Sequence, residues 1–291
     1  MDSSISHLPE KKQQELAKVT AMIRDYCPAV GLIVLYGSYA RGGWKEAGDL
    51  APDRRSGHAS DYDILAVTDE SDDCDSLVWH ELGQACYAAN LSASPRIIHH
   101  DIDFLNRKLE LGQYFFSDII SEGKVLYDSG DFSLAKPKAL TPGERLDIAR
   151  NDYGHWFERA ERFFAHYEFD KAKNWWKDGA FHLHQAAEAS FKTVLLIFTG
   201  YIPDEHYLSI LSHRASEINP AFADIFPSVE EFQRDAYTLL EYAYVGARYD
   251  RRYIIDEVSL AYLAERVAEL MELTRKSCEA KIEALEKMSE G

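Results

Sequence analysis

Cysteine, long apolar runs and basic charge are all scarce in this 291-residue sequence, and each scarcity excludes something. The four cysteines, Cys27, Cys74, Cys86 and Cys278, stand far apart, with no CxxC pair and no histidines in zinc-ligand spacing. They read as reduced, partly buried thiols. The longest apolar run, Val194 to Phe198, is far too short to cross a bilayer, and the first residues lack an apolar signal core. A cytoplasmic protein with no membrane partner is expected. Only 32 Lys and Arg face 49 Asp and Glu, for a net charge of −17. That balance makes extended nucleic-acid binding unlikely, because a broad grip on phosphates needs clustered cations. It also repels a free nucleotide at long range, so a nucleotide site here needs a divalent cation, Mg²⁺ being the natural expectation.

A hydrophobic fraction of 46% with 28% charged residues is globular composition, and the length favours two domains over one growing core. Apolar residues recur at helical period from Leu8 to Tyr26, and Pro28 ends that helix. Leu32 to Tyr36 and Tyr62 to Val67 read as buried strands, Ile97-Ile98 as a short third strand and Lys124 to Tyr127 as an edge strand. Helices are expected between Cys74 and Asn90 and, as one or two, from Phe104 to Ile120. The acidic run from Asp69 to Asp75 reads as a solvated loop leading into a helix N-terminus. Past the Pro- and Lys-rich stretch Ala135 to Gly143 the strand signal vanishes. Residues 144–168, 173–199, 228–246 and 256–286 show helical period, with Gly200, Pro203 and Pro227 as breaks. The fold class expected is α+β: an N-terminal α/β domain with a small mixed sheet over 1–138, a linker at 139–143 and an all-helical bundle over 144–291.

Chemistry concentrates in Gly37-Ser38-Tyr39-Ala40-Arg41-Gly42 and in Ser60-Asp61-Tyr62-Asp63-Ile64-Leu65. A strand that ends in Gly-Ser and turns into a helix leaves backbone N–H groups for phosphate oxygens. Asp61 and Asp63 alternate on a strand, so both carboxylates project from one face, as suits Mg²⁺. Together the two pieces resemble the nucleotidyltransferase superfamily of DNA polymerase beta, in its minimal nucleotidyltransferase form. The resemblance implies metal binding and catalysis by Asp61 and Asp63, and phosphate binding by Gly37, Ser38 and Arg41. Residues Trp44 to Ala59 lengthen the spacing and read as a loop insertion. Active members carry a third carboxylate on the following strand. Here that strand, Pro95 to His100, has none in its core; Arg96 or His99 takes the position, unless Asp101 or Asp103 substitutes in a shifted register.

Phe181-His182-Leu183-His184-Gln185-Ala186-Ala187-Glu188, with Phe191 to Leu196 and Ala247-Arg248-Tyr249, resembles the HEPN domain, the helical partner of minimal nucleotidyltransferases. That family's ribonucleases use Arg, four to six residues, then His. Here Arg248 is followed by Tyr253 in the histidine's place, and a phenol with a reference pKa near 10 exchanges protons poorly at neutral pH. His182 and His184 lie roughly 200° apart around a helix and cannot share a metal on one face; one is expected to pack inside and one near the surface. Gln185 and Glu188 form a polar stripe that either lines a pocket with Arg248 and Tyr253 or supports the bundle. The aromatics Trp175-Trp176 and Tyr237, Tyr242, Tyr244, Tyr249 and Tyr253 read as core or homodimer interface more than as base-stacking platforms.

Three functions follow. The first is Mg²⁺-dependent transfer of a nucleoside monophosphate from an NTP (ATP or GTP) to an acceptor the sequence does not identify. The second is a nucleotide-binding regulatory protein whose transferase site has decayed, with the missing third acid as its signature. The third is a HEPN ribonuclease toxin fused to its nucleotidyltransferase antitoxin.

Overall fold

The computed structural model describes residues 1–46, 60–69, 76–203 and 205–290. Residues 47–59 of the insertion, and 70–75 of the acidic run with Cys74, lie outside them. The chain divides into two compact units, one ending at Ala139 and the other running from Leu140. The expected α+β class is the one found: a four-stranded mixed sheet with helices in the first unit and helices alone in the second, among the described residues.

In the first unit α1 (Glu10–Tyr26) is followed by β1 (Val30–Tyr36), α2 (Gly37–Arg41), β2 (Tyr62–Thr68), α3 (Ser76–Ala88), β3 (Pro95–Asp101), α4 (Ile102–Glu110), α5 (Tyr114–Glu122) and β4 (Lys124–Asp128). The sheet order is β3-β2-β1-β4. Strand β1 is antiparallel to β2 and β4, whereas β2 and β3 run parallel across the α3 crossover. Helix α1 buries Leu16, Val19 and Ile23, one stripe at helical spacing, in a core with Ile33, Leu35, Ile64, Ala66 and α3's Leu82. On the opposite sheet face α4 and α5 bury Leu105, Leu109, Phe116 and Ile119. Strand β3 is longer than its apolar pair Ile97-Ile98 suggests. Of its polar residues Arg96, His100 and Asp101 are partly buried and His99 is exposed; His99 stacks on Trp79 at 4.2 Å and His100 on Phe104 at 4.1 Å.

The irregular stretch before the second unit is tied down to α4. Asn106 accepts the Ala135 N–H at 2.7 Å and donates to the Ser133 carbonyl at 3.0 Å, while the Lys138 N–H donates to the Leu109 carbonyl. The second unit comprises α6 (Pro142–Ala172), α7 (Trp176–Thr199), α8 (Leu208–Ile218), a 3₁₀ turn at Pro220–Asp224, α9 (Glu231–Tyr249) and α10 (Glu257–Ser289). Thr141 and Glu144 close a capping box at the start of α6, with Pro142 in the first turn. Helix α7 is buried nearly all round between Gly179 and Ile197, which makes it the central helix of the bundle, packed by α6, α8, α9 and α10. No described helix is long and apolar enough to cross a membrane. Cys86 and Cys278 are buried free thiols, but Cys27 is disulfide-bonded, which corrects the expectation of four reduced cysteines.

Gly123, between α5 and β4, has no room for a side chain: a Cβ there would strike the Ile119 carbonyl oxygen and sit 2.5 Å from Val34. Gly123→Ala should therefore lower stability by about 1–3 kcal/mol in denaturant unfolding; an unchanged midpoint would show that this corner yields.

Candidate functional site

The register of β1, β2 and β3 builds the first site. Tyr36 is paired with Asp63 across the antiparallel ladder, and Asp63 with Arg96 across the parallel one. Asp61 and Asp63 share a sheet face, and alternation puts Arg96 on that same face. Gly37, just past Tyr36, holds a left-handed backbone (φ +72°). A Cβ there would run into the Asp63 carboxylate, whose Cγ would lie 3.2 Å away. The glycine is thus required twice, for its φ and for the close approach of an acid to the turn. Tyr36 puts no side-chain cap on the first turn of α2, and the Ser38 carbonyl accepts from the N–H groups of Gly42 and Gly43.

Arg96, on the strand where the resemblance calls for a third carboxylate, stands opposite Asp63, and its Nε donates to Asp61 Oδ2 at 2.7 Å. Both side chains are mostly shielded, at 20% and 16% exposure, so this ion pair is screened less than a surface one. His99 is not at the site; it faces the other side of the sheet, against Trp79. Nor does Asp101 reach it: Asp101 pairs with Thr68 at the far end of the strand and caps α4 through the Phe104 N–H. Asp103 is exposed on α4. Arg41 is exposed too, 3.7 Å from Glu122.

A partly buried polar network behind the sheet carries no sequence signal. The ammonium of Lys12 donates to the Tyr39 hydroxyl at 3.2 Å and to Ser92 Oγ at 2.8 Å, and pairs with Glu46. Glu15 accepts from the Tyr62 hydroxyl at 2.7 Å and from the N–H and hydroxyl of Ser92. Burial opposes the charges, but these bonds outweigh it: Lys12 is raised and Glu15 lowered from their ordinary pKa values. Tyr39 follows Ser38, and Tyr62 lies between Asp61 and Asp63. One helix, α1, therefore grips both functional segments. Nothing in the local pattern marks these residues, because polar positions on an amphipathic helix ordinarily face water.

In the helical unit Gln185 and Glu188 are hydrogen-bonded to each other. Gln185 Nε2 donates to Glu188 Oε2 at 3.1 Å, and Glu188 also holds Lys192 at 2.9 Å and His206 at 3.1 Å. His184 is fully buried beside them, its Nε2 3.2 Å from the His206 carbonyl. His206 stacks on Tyr244 at 4.4 Å, and the Arg248 guanidinium lies 4.5 Å from that same ring. Arg248 thus connects to the cluster through Tyr244. Tyr253 does not join it: its ring is buried in the core, its hydroxyl donates to the Leu239 carbonyl, and burial raises its pKa. His184, Lys192, His206 and Tyr244 were not among the expected pocket residues; His206 arrives from the loop after α7 and carries no local signal.

Burial lowers the His184 pKa to about 4, against its carboxylate neighbour Glu188. The folded state thus takes up this proton later than the unfolded state. The associated stability is present above the ordinary pKa of 6.5 and is lost as pH falls from there to about 4. The full effect is about 3 kcal/mol. The stability gap between the protein and His184→Gln should accordingly narrow on titration from pH 7 to pH 4; a constant gap would contradict the buried neutral imidazole.

Comparison with known proteins bears on the second unit. Residues 153–285 match the model of the HEPN domain. None of the curated proteins matches the chain. Among solved structures, TT1696 from Thermus thermophilus is 21% identical, over 46% of this chain and 98% of its own, with a TM-score of 0.28. A nucleotidyltransferase-like protein from Exiguobacterium sibiricum 255-15 is 12% identical, over 91% of this chain and 77% of its own, with a TM-score of 0.30. With the buried central helix α7 and its helical partners in place, residues 153–285 are a HEPN domain.

Proposed function

We propose that the N-terminal unit binds a nucleoside triphosphate, ATP or GTP, at the Gly37-Ser38 turn and Asp61 and Asp63, as a regulatory nucleotide site. The observation that carries this reading is the Arg96–Asp61 ion pair in the place of a third carboxylate. Two carboxylates on one face fit one Mg²⁺ carried in by the phosphates. Among the described residues no group of three or more His, Cys, Asp or Glu is disposed to hold a metal ion. When bound, Mg²⁺ would neutralise the phosphate oxygens. The turn's N–H groups bind those oxygens, Asp63 stands beside the turn, and Arg96 holds Asp61 in place while offsetting its charge. A guanidinium has no acceptor, so Arg96 cannot take a proton from an incoming hydroxyl as a third acid would.

Mg²⁺-dependent transfer of a nucleoside monophosphate to an acceptor is the second reading, favoured by the close approach of Gly37 and Asp63. The toxin–antitoxin reading is the weakest, since Tyr253 is buried and bonded to a backbone carbonyl instead of facing a substrate. We also propose a homodimer through the exposed stripe Tyr242, Val245 and Tyr249 on α9, continued by Ile254 and Val258.

Titration calorimetry with ATP and GTP should give saturable binding that Mg²⁺ strengthens, and Asp63→Asn should weaken it by about tenfold or more. Absence of binding would overturn the site, and pyrophosphate release in the same mixtures would overturn the regulatory assignment in favour of transfer. Sedimentation velocity should show a dimer that Val245→Glu with Tyr249→Glu converts to monomer; a monomeric parent protein would contradict the interface.

A further inference from the structure

The HEPN domain carries a second constellation, independent of the nucleotide reading, where α6 meets α7. The Asp170 carboxylate is buried, and His182 Nδ1 lies 2.6 Å from its Oδ2. The imidazole plane is fixed by stacking on His166 at 5.2 Å and Phe163 at 6.2 Å. With Nδ1 turned to Asp170, the ring's Nε2 edge is directed away from that carboxylate. Asp178 precedes His182 by one helical turn on α7, so the two side chains share a side of that helix. Trp175, half exposed at 51%, stands at the α6–α7 turn, its ring edge-to-face with Phe169 at 5.9 Å. Asp170, Trp175, Asp178 and His182 line an open cavity of about 420 Å³.

Two carboxylates and the aromatic rings of an indole and an imidazole make up this lining. Its complement is a group that donates, accepts nothing and carries positive charge. We infer that the cavity is a binding site for a primary alkylammonium ligand, its charge set against Asp178 and the Trp175 face. The fit of an ammonium to a carboxylate and an aromatic face is ordinary cation–π and charge-assisted hydrogen-bond chemistry. The neighbouring cations do not fill the role. Lys177 donates to the Asp250 carbonyl and lies over Tyr253, and Lys173 lies over Phe169 at 5.8 Å. A mere tie between α6 and α7 would need Asp170 and His182 but neither an exposed indole nor a second carboxylate on the cavity wall.

Calorimetry on the full chain with putrescine, and with butanediol as its uncharged counterpart, tests this. Putrescine should bind saturably and the diol should not, and Asp178→Asn and Trp175→Ala should each weaken binding by about tenfold. Both changes are at exposed positions, and circular dichroism would verify that the variants fold. Glu283→Gln, a remote acidic position, should leave the affinity unchanged. Three results would overturn the site: no binding, binding unaffected by the two cavity variants, or an equal loss in Glu283→Gln, which would mark diffuse attraction to an acidic protein.

Discussion

The pairing register of three adjacent strands decides the chemistry of the N-terminal unit. Because β1 meets β2 with Tyr36 against Asp63, and β2 meets β3 with Asp63 against Arg96, a glycine turn, an acid and a guanidinium stand level across the sheet. A slip of one residue would turn every side chain to the opposite face. The buried strand cores hold that register: Val34, Leu35, Ile64 and Leu65 leave no apolar face free to slide into water. The Lys12 and Glu15 network acts on the same elements from behind, tying Tyr39 and Tyr62 to one helix.

The HEPN domain uses its central helix differently. A helix buried on all sides has no solvent face on which to put polar residues, yet α7 carries His184, Glu188 and Lys192. Each is accommodated by partners: Glu188 takes Gln185, Lys192 and His206, and His184 stays neutral beside the His206 carbonyl. Removing one member would strand the others in a medium of low polarity, where an unpaired charge is costly. The cluster therefore pins the loop that carries His206 to the core of the bundle, and through Tyr244 it reaches the exposed Arg248.

Periodicity made the elements legible. The helical stripe of α1, the runs Leu32–Tyr36 and Tyr62–Val67, and the long helices α6, α7, α9 and α10 are where apolar spacing puts them, because burial of one face is what forms them. The Gly-Ser turn and Asp-x-Asp strand were legible as motifs, and the pairing of β1 with β2 sets them side by side in space. What the sequence hid are contacts between distant positions. Arg96 and His99 were equivalent candidates until strand alternation put one on the site and the other against Trp79. Tyr253 follows Arg248 closely along the chain, yet it turns into the core once α9 ends. Lys12, Glu15 and Lys192 break the rule that charges face water, and only the three-dimensional partners explain why.

On the proposed reading, Arg96 leaves room for one phosphate-borne metal ion where a third carboxylate would help to hold two. Electron paramagnetic resonance can count Mn²⁺ ions bound with a non-hydrolysable nucleoside triphosphate, without any need to know an acceptor. One ion per nucleotide is expected in the protein, and a second only in Arg96→Asp. Two ions bound with Arg96 in place would contradict it.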